Sequence, residues 1–507
     1  MSDLNCGTIV AVYSPCRPTE NFKCYENLRF GFEFQKKIFT IFCFFLLFIY
    51  RNSRIMYLTA NSHIGRDNRD GVDLSVLRKL AYHAARLYNV GLYNVRQHYF
   101  NTGLYLKYEG NYHEAYPNEN YRMVVSDTAQ LILRLVDRNM KSFFMSLKAK
   151  QDGKYSFPVR LPKYKDKEGI MAFSVQGRSC RVQKDGTVAV GLTKEFREMY
   201  GIPYKRMFFT IPKHIRHVPE FKEMRFIPLH HGEEFRVEFV YDESFVKPEP
   251  VSGDGYMSID MGVDNLMACA VFSNGGSHQF LIDGRPIKNI NRYYNKTKAH
   301  LQEAYATNKS ISGMSTARFR RLSNGRDFRI NDYFNKAVMS IIRKCVEHGV
   351  TTVVVGYNRE MKQDVNMGKV NNQTFVSVPY YKLRQKLAAK CALYGIKYYS
   401  QEESYTSKAS ALDLDEIPVF DKTGKADNSG VVFSGSRVKR GLYRSKDGSV
   451  LNADINGAVN ILRKYFKECN LNEIDSDRIR ALVNAPCLRI DAMRHSLTQA
   501  PSSERWV

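Results

Sequence analysis

No two of the ten cysteines in this 507-residue sequence are spaced as C-x-x-C; they fall singly at 6, 16, 24, 43, 180, 269, 345, 391, 469 and 487. That scatter argues against a disulfide framework and a structural zinc site, and fits reduced thiols in a cytoplasm. Long hydrophobic runs are also absent. Residues 38–50 (IFTIFCFFLLFIY) would make a helix of about 20 Å, short of the roughly 30 Å hydrocarbon core. A signal peptide would carry its apolar region nearer the start. No membrane partner is therefore expected. Residues 1–55 are set aside as an extension, with the globular pattern beginning at Met56. Acidic residues are scarce, 51 against 76 Lys and Arg, giving a formal charge of +25. Such a chain repels itself unless a polyanion is near. With 32 Tyr and 31 Phe to supply stacking faces, it suits a nucleic acid.

Hydrophobic residues at 44% allow a packed core, and the length allows roughly three or four domains. Apolar positions recur at helical spacing over 73–100 (Leu77, Leu80, Ala84, Leu87) and over 122–148 (Leu131, Leu135, Val136, Phe143), predicting a helical module over 73–150. MYLTANSHI before it reads as a strand. Residues 154–250 switch to short alternating runs such as CRVQKDGTVAVGL and EFRVEFVY, with an Asp-Gly pair set for a hairpin. Lys163 and Lys165 follow Pro162 in a basic loop. From Tyr256, YMSIDMG, NLMACAVF and HQFLIDG read as three successive strands. A basic helical stretch at 285–330 carries Arg318, Arg320, Arg321, Arg326 and Arg329. Then come an amphipathic helix (331–350), a buried strand TTVVVG (351–356), a helix (380–394) and the strand IKYYS (396–400). A Gly- and charge-rich segment (404–452) precedes a last amphipathic helix, DINGAVNILRKYF (454–466).

This element order is that of an RNase H-like α/β domain. Such a domain sets one aspartate on its first strand, another on a late helix, and a third carboxylate elsewhere on the sheet. Together they hold two Mg²⁺ ions about 4 Å apart. Asp260 in SIDMG and Asp454 at the start of the last helix fit the first two places. Either aspartate alone reads better as a turn residue or helix cap. The pair, in this order, carries the assignment.

SIDMGVDNLMACAV, IKNINRYYNK, RFRRLSNGRDFRINDYFNKAV, VVVGYNREMKQ, ESYTSKAS and NADINGAVNILRK occur in that order. Together they resemble the TnpB (OrfB) proteins of insertion sequences, relatives of type V CRISPR effector nucleases. The resemblance covers most of 56–467 and is strongest over 256–467. It implies a multidomain α+β chain: a wedge-type β-barrel (56–72 and 151–252) with a helical recognition lobe (73–150), then a RuvC nuclease domain (253–403 and 453–467). The segment 404–452 would be a target-binding insertion and 468–507 a C-terminal tail. Also implied are a guide RNA (an omega RNA or crRNA-like), a double-stranded DNA target chosen by RNA pairing with a short flanking motif, and cytoplasmic, Mg²⁺-dependent cleavage.

Two departures from the family pattern bear on chemistry. Relatives carry a glutamate at the end of the middle strand, where this chain has Gly356. Three carboxylates could replace it: Glu403, then Glu402, then Glu360. Alternation puts 402 and 403 on opposite faces, so one of the two is expected to serve. Relatives also carry two C-x-x-C pairs in the insertion; here Ala409, Arg444 and Asp447 stand at cysteine positions, so zinc is not expected. Arg437, Lys439, Arg440 and Arg444 remain to hold phosphates or to pair with acids in its place. The rival readings are a nuclease-inactive guided repressor, an effector using a separate crRNA, and a strand-transferring tyrosine transposase. The last would need a Tyr-bearing partner for His230 and His231, and none stands out.

Overall fold

The computed structural model describes residues 57–65, 71–245, 248–306, 316–357, 378–418, 431–439, 441–493 and 496–499. The apolar run at 38–50, Glu360 and Arg440 lie outside the described residues. Among the described residues no helix is long and apolar enough to cross a membrane. The chain divides into two compact units, Met1–Val246 and Lys247–Val507.

The first unit runs β1 (Tyr57–Ile64), α1 (Leu74–Thr102), α2 (Tyr108–Ala115), α3 (Glu119–Arg122), α4 (Ser126–Gln151), β2 (Phe173–Gln176), β3 (Cys180–Val182), β4 (Thr187–Gly191), α5 (Lys194–Tyr200), β5 (Arg206–Thr210), β6 (Glu223–Leu229) and β7 (Glu234–Asp242). α1 begins where the Asp73 carboxylate accepts from the Ser75 N–H and stops at Gly103, whose φ of +69° is the left-handed conformation glycine tolerates. Its Leu77, Ala81, Ala84, Leu87 and Leu92 are buried, which confirms the helical spacing. β1 pairs antiparallel with β7 across the length of the unit, so the strand before the helices joins those after them. The Asp-Gly hairpin forms, with Gly186 at φ +83°. The strands make two antiparallel sheets, β1-β7-β6-β2 and β3-β4-β5. Hydrogen bonds among the described residues do not close these into the expected barrel. A tight turn at Gly177–Ser179 separates β2 from β3 and sends them to different sheets. His230 and His231 lie in a left-handed turn after β6 (φ +50° and +58°) rather than in a strand.

The second unit runs β8 (Gly255–Asp260), β9 (Asn265–Ser273), β10 (Gly276–Asp283), α6 (Arg285–Ala306), α7 (Ala317–Glu347), β11 (Val350–Tyr357), α8 (Tyr380–Leu393), β12 (Lys397–Glu402), β13 (Ser436–Lys439), β14 (Leu442–Arg444), β15 (Val450–Asn452), α9 (Ala453–Glu468), α10 (Ser476–Asn484), β16 (Cys487–Asp491) and β17 (Ser496–Gln499). Its main sheet has the order β12-β11-β8-β9-β10-β16-β17. β8, β11 and β12 are parallel, and β8-β9-β10 form an antiparallel meander. The segment expected as a tail thus supplies α10 and two strands of this sheet, with β16 parallel to β10. Every residue of β9 is buried, as a central strand covered on both faces requires.

Alternation along β9 sorts the two faces. Met267, Cys269 and Val271 pack with Phe334, Val338 and Ile341 of α7 and with Leu383 and Leu387 of α8. Ala268, Ala270 and Phe272 pack with Ile455, Val459 and Leu462 of α9. Small alanines on that second face let α9 lie close to the strands.

Candidate active site

The same alternation aims the acidic residues. Met257 and Ile259 of β8 face α7 and α8, so Asp260 faces α9. Val353 and Val355 of β11 face the same way as Met257, which sends Val354 and Gly356 toward α9. On β12, Tyr399 meets the ring of Tyr465 of α9 at 5.0 Å, and Gln401 donates to Glu468 of α9 (2.7 Å). Glu403, two residues on, continues that face. Asp454 enters from α9 itself. Asn452 caps the helix by accepting from the Asp454 N–H (2.9 Å), which puts the Asp454 carboxylate in the first turn at the positive end of the dipole.

Two glycines admit the carboxylates. A Cβ at Gly457, one turn beyond Asp454, would stand 2.7 Å from Asp260 Oδ2. Asp260 therefore lies against α9 at Gly457, where its second turn begins. A Cβ at Gly356 would stand 2.6 Å from Glu403 Oε2 and 2.6 Å from Ile461 Cδ1. In the register of the sheet Gly356 is opposite Gln401, so Glu403 folds back over the bare glycine from the neighbouring strand. The space over residue 356 is filled, by another residue's carboxylate.

The electrostatics show mutual repulsion. Burial first, then the charges of Asp454 and Glu403, push the Asp260 carboxyl well above its usual range, against the pull of Arg437. Burial, then the charge of Glu402, pushes Glu403 up to about 7, with Arg384 and Lys464 pulling the other way. Glu403 Oε2 is buried with no hydrogen-bond partner, and so is Asn265 Oδ1. A cluster of like-charged oxygens, some unsatisfied, is what a hard cation resolves. Drawn together, Asp260, Glu403 and Asp454 would offer carboxylate oxygens alone, a donor set suited to Mg²⁺ or Mn²⁺ over zinc. As they stand, no three His, Cys, Asp or Glu side chains among the described residues are grouped so that they could hold a metal ion, Asp260, Glu403 and Asp454 included.

Glu402 goes elsewhere. Although expected on the opposite face, it reaches Lys464 of α9 (2.6 Å) and accepts from the Ser404 N–H (2.6 Å). Burial raises its pKa, but these bonds outweigh it and hold the carboxyl below its ordinary value. Among the basic candidates Arg437 reaches the acids, donating to Asp454 Oδ1 (3.3 Å) from β13. Lys439 and Arg444 are exposed on β13 and β14. In the first unit, Lys163 and Lys165 are exposed, and the Lys165 N–H donates to Asn89 Oδ1 (2.7 Å). Arg318, Arg320, Arg321, Arg326 and Arg329 all lie on α7.

Sequence reasoning missed several residues here. Asn265 donates to Asp454 Oδ2 (2.7 Å), and the Tyr380 hydroxyl donates to Gly262 O (2.9 Å) in the turn after Asp260. Asn265 lies five residues after Asp260, so only its neighbourhood hinted at a role. The insertion is tied by polar groups. Tyr443 donates to Lys408 O (2.7 Å), the Lys446 N–H to Asp413 (2.9 Å), and Ser445 to Asp447 (2.5 Å).

Comparison with known proteins gives two family matches. The OrfB_IS605 family, described as "Probable transposase", matches residues 234–362, and "Cas12f1-like, TNB domain" matches 380–461. The chain is similar to "TnpB-like protein ORF457" of Acidianus two-tailed virus, 25% identical over 446 residues that cover 81% of this chain and 88% of that protein. Among solved structures, a Cas12f1–sgRNA–target DNA complex has a TM-score of 0.44 at 15% identity, covering 76% of this chain and 82% of that one. The mini-RNA-guided endonuclease CRISPR-Cas_phi3 has a TM-score of 0.40 at 10% identity, covering 87% and 97%.

Proposed function

We infer that this chain, a TnpB-family protein related to the type V effectors, is an RNA-guided DNA endonuclease with Asp260, Glu403 and Asp454 as its catalytic carboxylates. The observation that carries this reading is Glu403 folded over Gly356, its carboxylate on the same sheet face as Asp260 and toward α9 at Ile461. Those three carboxylates would hold divalent cations, two Mg²⁺ on the family's pattern. When bound, such ions supply charge neutralisation at the scissile phosphate and a water acidic enough to attack it.

The chain's own residues do the rest. Asn265 orients the Asp454 carboxylate through its Nδ2 donor. Tyr380 holds the turn that follows Asp260. Arg437 stands at Asp454 Oδ1 and offers its guanidinium fork to a phosphate oxygen once substrate enters. The arginines of α7, with Lys163, Lys165, Lys439 and Arg444, bind backbone phosphates, which fixes position and carries no sequence information. Sequence is read by pairing between a guide RNA and one strand of duplex DNA, with a short flanking motif read by the protein. Zinc has no part in this account.

The test is cleavage of a randomised plasmid library by the protein purified with its own RNA, in Mg²⁺. Cuts at a fixed distance from one motif, lost with Asp260→Ala, are expected. Guided binding without cuts would instead favour a nuclease-inactive guided repressor.

A further inference from the structure

α6 and α7 pack together and leave a groove of about 310 Å³ between them, within the second unit and lined by neither Asp260, Glu403 nor Asp454. We propose that this groove takes one unpaired nucleotide, its base against tyrosine and its phosphate on arginine. The proposal rests on the nucleic-acid partner inferred above but not on cleavage.

Three observations carry it. The first is the pairing of walls. α6 presents Tyr293 and Tyr294, while α7 presents Arg318, Arg321 and Arg329. Tyr293 is 60% exposed, so its ring face is open to a ligand in the groove. The three arginines are exposed, and no acidic side chain among the described residues pairs with them. Elsewhere in this unit arginines are spent on partners, as Arg285 is on Asp283 and Arg463 on Glu473. Aromatic faces beside unpaired guanidinium groups fit a planar base carrying a phosphate, the combination used on single strands.

The second is the rigidity of the groove. Arg326 lies 5.1 Å from the Tyr294 ring centroid and donates from Nε to Asn291 Oδ1 (2.8 Å), which ties α7 to α6. Asn291 is 2% exposed, and its Nδ2 is buried without a partner next to this tie. Ile290, Leu301 and Leu322 complete the apolar lining.

The third is Gly325, inside α7, where glycine is the poorest helix former after proline. It lines the groove, and a Cβ added there would meet nothing within 4 Å. Packing does not demand this glycine. Its effect is to keep the groove open.

The experiment measures binding of the full chain, freed of RNA at high salt, to labelled single-stranded oligonucleotides by fluorescence anisotropy. Each sequence is offered as RNA and as DNA, intact and with bases removed. Intact oligonucleotides should bind about tenfold more tightly than base-free ones, in whichever of the two sugar series supplies the nucleotide. Gly325→Leu fills the groove, removes no donor and favours the helix. It should reduce that ratio to about two or less while leaving base-free binding unchanged. Tyr293→Ala should do the same. Arg321→Ala should weaken both forms and lower the salt slope by about one. Thermal melting checks that each variant folds. Equal binding of intact and base-free strands by the parent, or an undiminished ratio in Gly325→Leu, would overturn the pocket and leave the nuclease reading standing. Failure of the parent to bind any strand would overturn both.

Discussion

Placing a methyl group on Gly356 should reveal what occupies the space above it. The added Cβ would stand 2.6 Å from Glu403 Oε2 and 2.6 Å from Ile461 Cδ1, both well inside van der Waals contact. Ile461 Cδ1 is the end of a flexible side chain and can turn away; the Glu403 carboxylate, whose Oε2 is buried, has less freedom. Overpacking of this kind costs about 1–3 kcal/mol. Gly356→Ala should therefore lower stability by about 2 kcal/mol in the parent. In a Glu403→Ala background most of that cost should vanish, because the carboxylate that blocks the methyl group is gone. The assay is urea denaturation of the four proteins of the cycle. A coupling of at least about 1 kcal/mol is expected, well beyond the roughly 0.3–0.5 kcal/mol by which independent sites deviate from additivity. Additive effects would refute the reasoning, since they would mean that Glu403 does not lie over Gly356. The activity arm extends the argument: Glu403→Ala should lose cleavage, and Gly356→Glu added to it should restore part, because the new carboxylate starts from the strand position used by relatives.

Other outcomes follow from the same geometry. Gly457→Ala should impair cleavage by pushing on Asp260, although the change would otherwise favour the helix by about 1 kcal/mol; a more stable, fully active variant would contradict the close approach. Glu402→Ala should destabilise the fold by about 2 kcal/mol, by leaving the buried Lys464 ammonium without its carboxylate, yet keep cleavage far better than Glu403→Ala does. Glu403 is carried from an ordinary 4.5 to about 7, so the folded state holds its proton more tightly than the unfolded state. Its contribution falls as pH rises from about 4.5 through about 7, by up to about 3 kcal/mol, and Glu403→Gln should flatten the stability profile in that window. Asn265→Ala should slow cleavage about tenfold or more by freeing Asp454, with little change in guide binding.

Much of the second unit was legible because its strands are strongly patterned. YMSIDMG, NLMACAVF and TTVVVG are apolar runs with few alternatives; Asp260 stands near the end of the first, and Asp454 opens the last amphipathic helix. Glu403 was legible as a candidate only through the family's missing glutamate at Gly356. Its actual route, back over the glycine from a neighbouring strand, depends on register, which no local pattern encodes. The partition between Glu402 and Glu403 is set by Lys464, 62 residues away in sequence. β16 and β17 are not legible as sheet strands because they are short, and they pair with β10 more than 200 residues earlier and with each other. The expected barrel is not closed by hydrogen bonds among the described residues. Alternation identified the strands of the first unit, but their division between two sheets turns on the short break at Gly177–Ser179.

The most direct test of the central claim is single-turnover cleavage of a matched plasmid by the RNA-loaded protein, comparing the parent with Asp260→Asn, Glu403→Gln and Asp454→Asn. The parent should cut in Mg²⁺, each variant should lose at least about a thousandfold, and all four should bind guide RNA equally; the opposite would mean these carboxylates are not catalytic. Cleavage that survives Glu403→Gln at the parental rate would contradict the central claim.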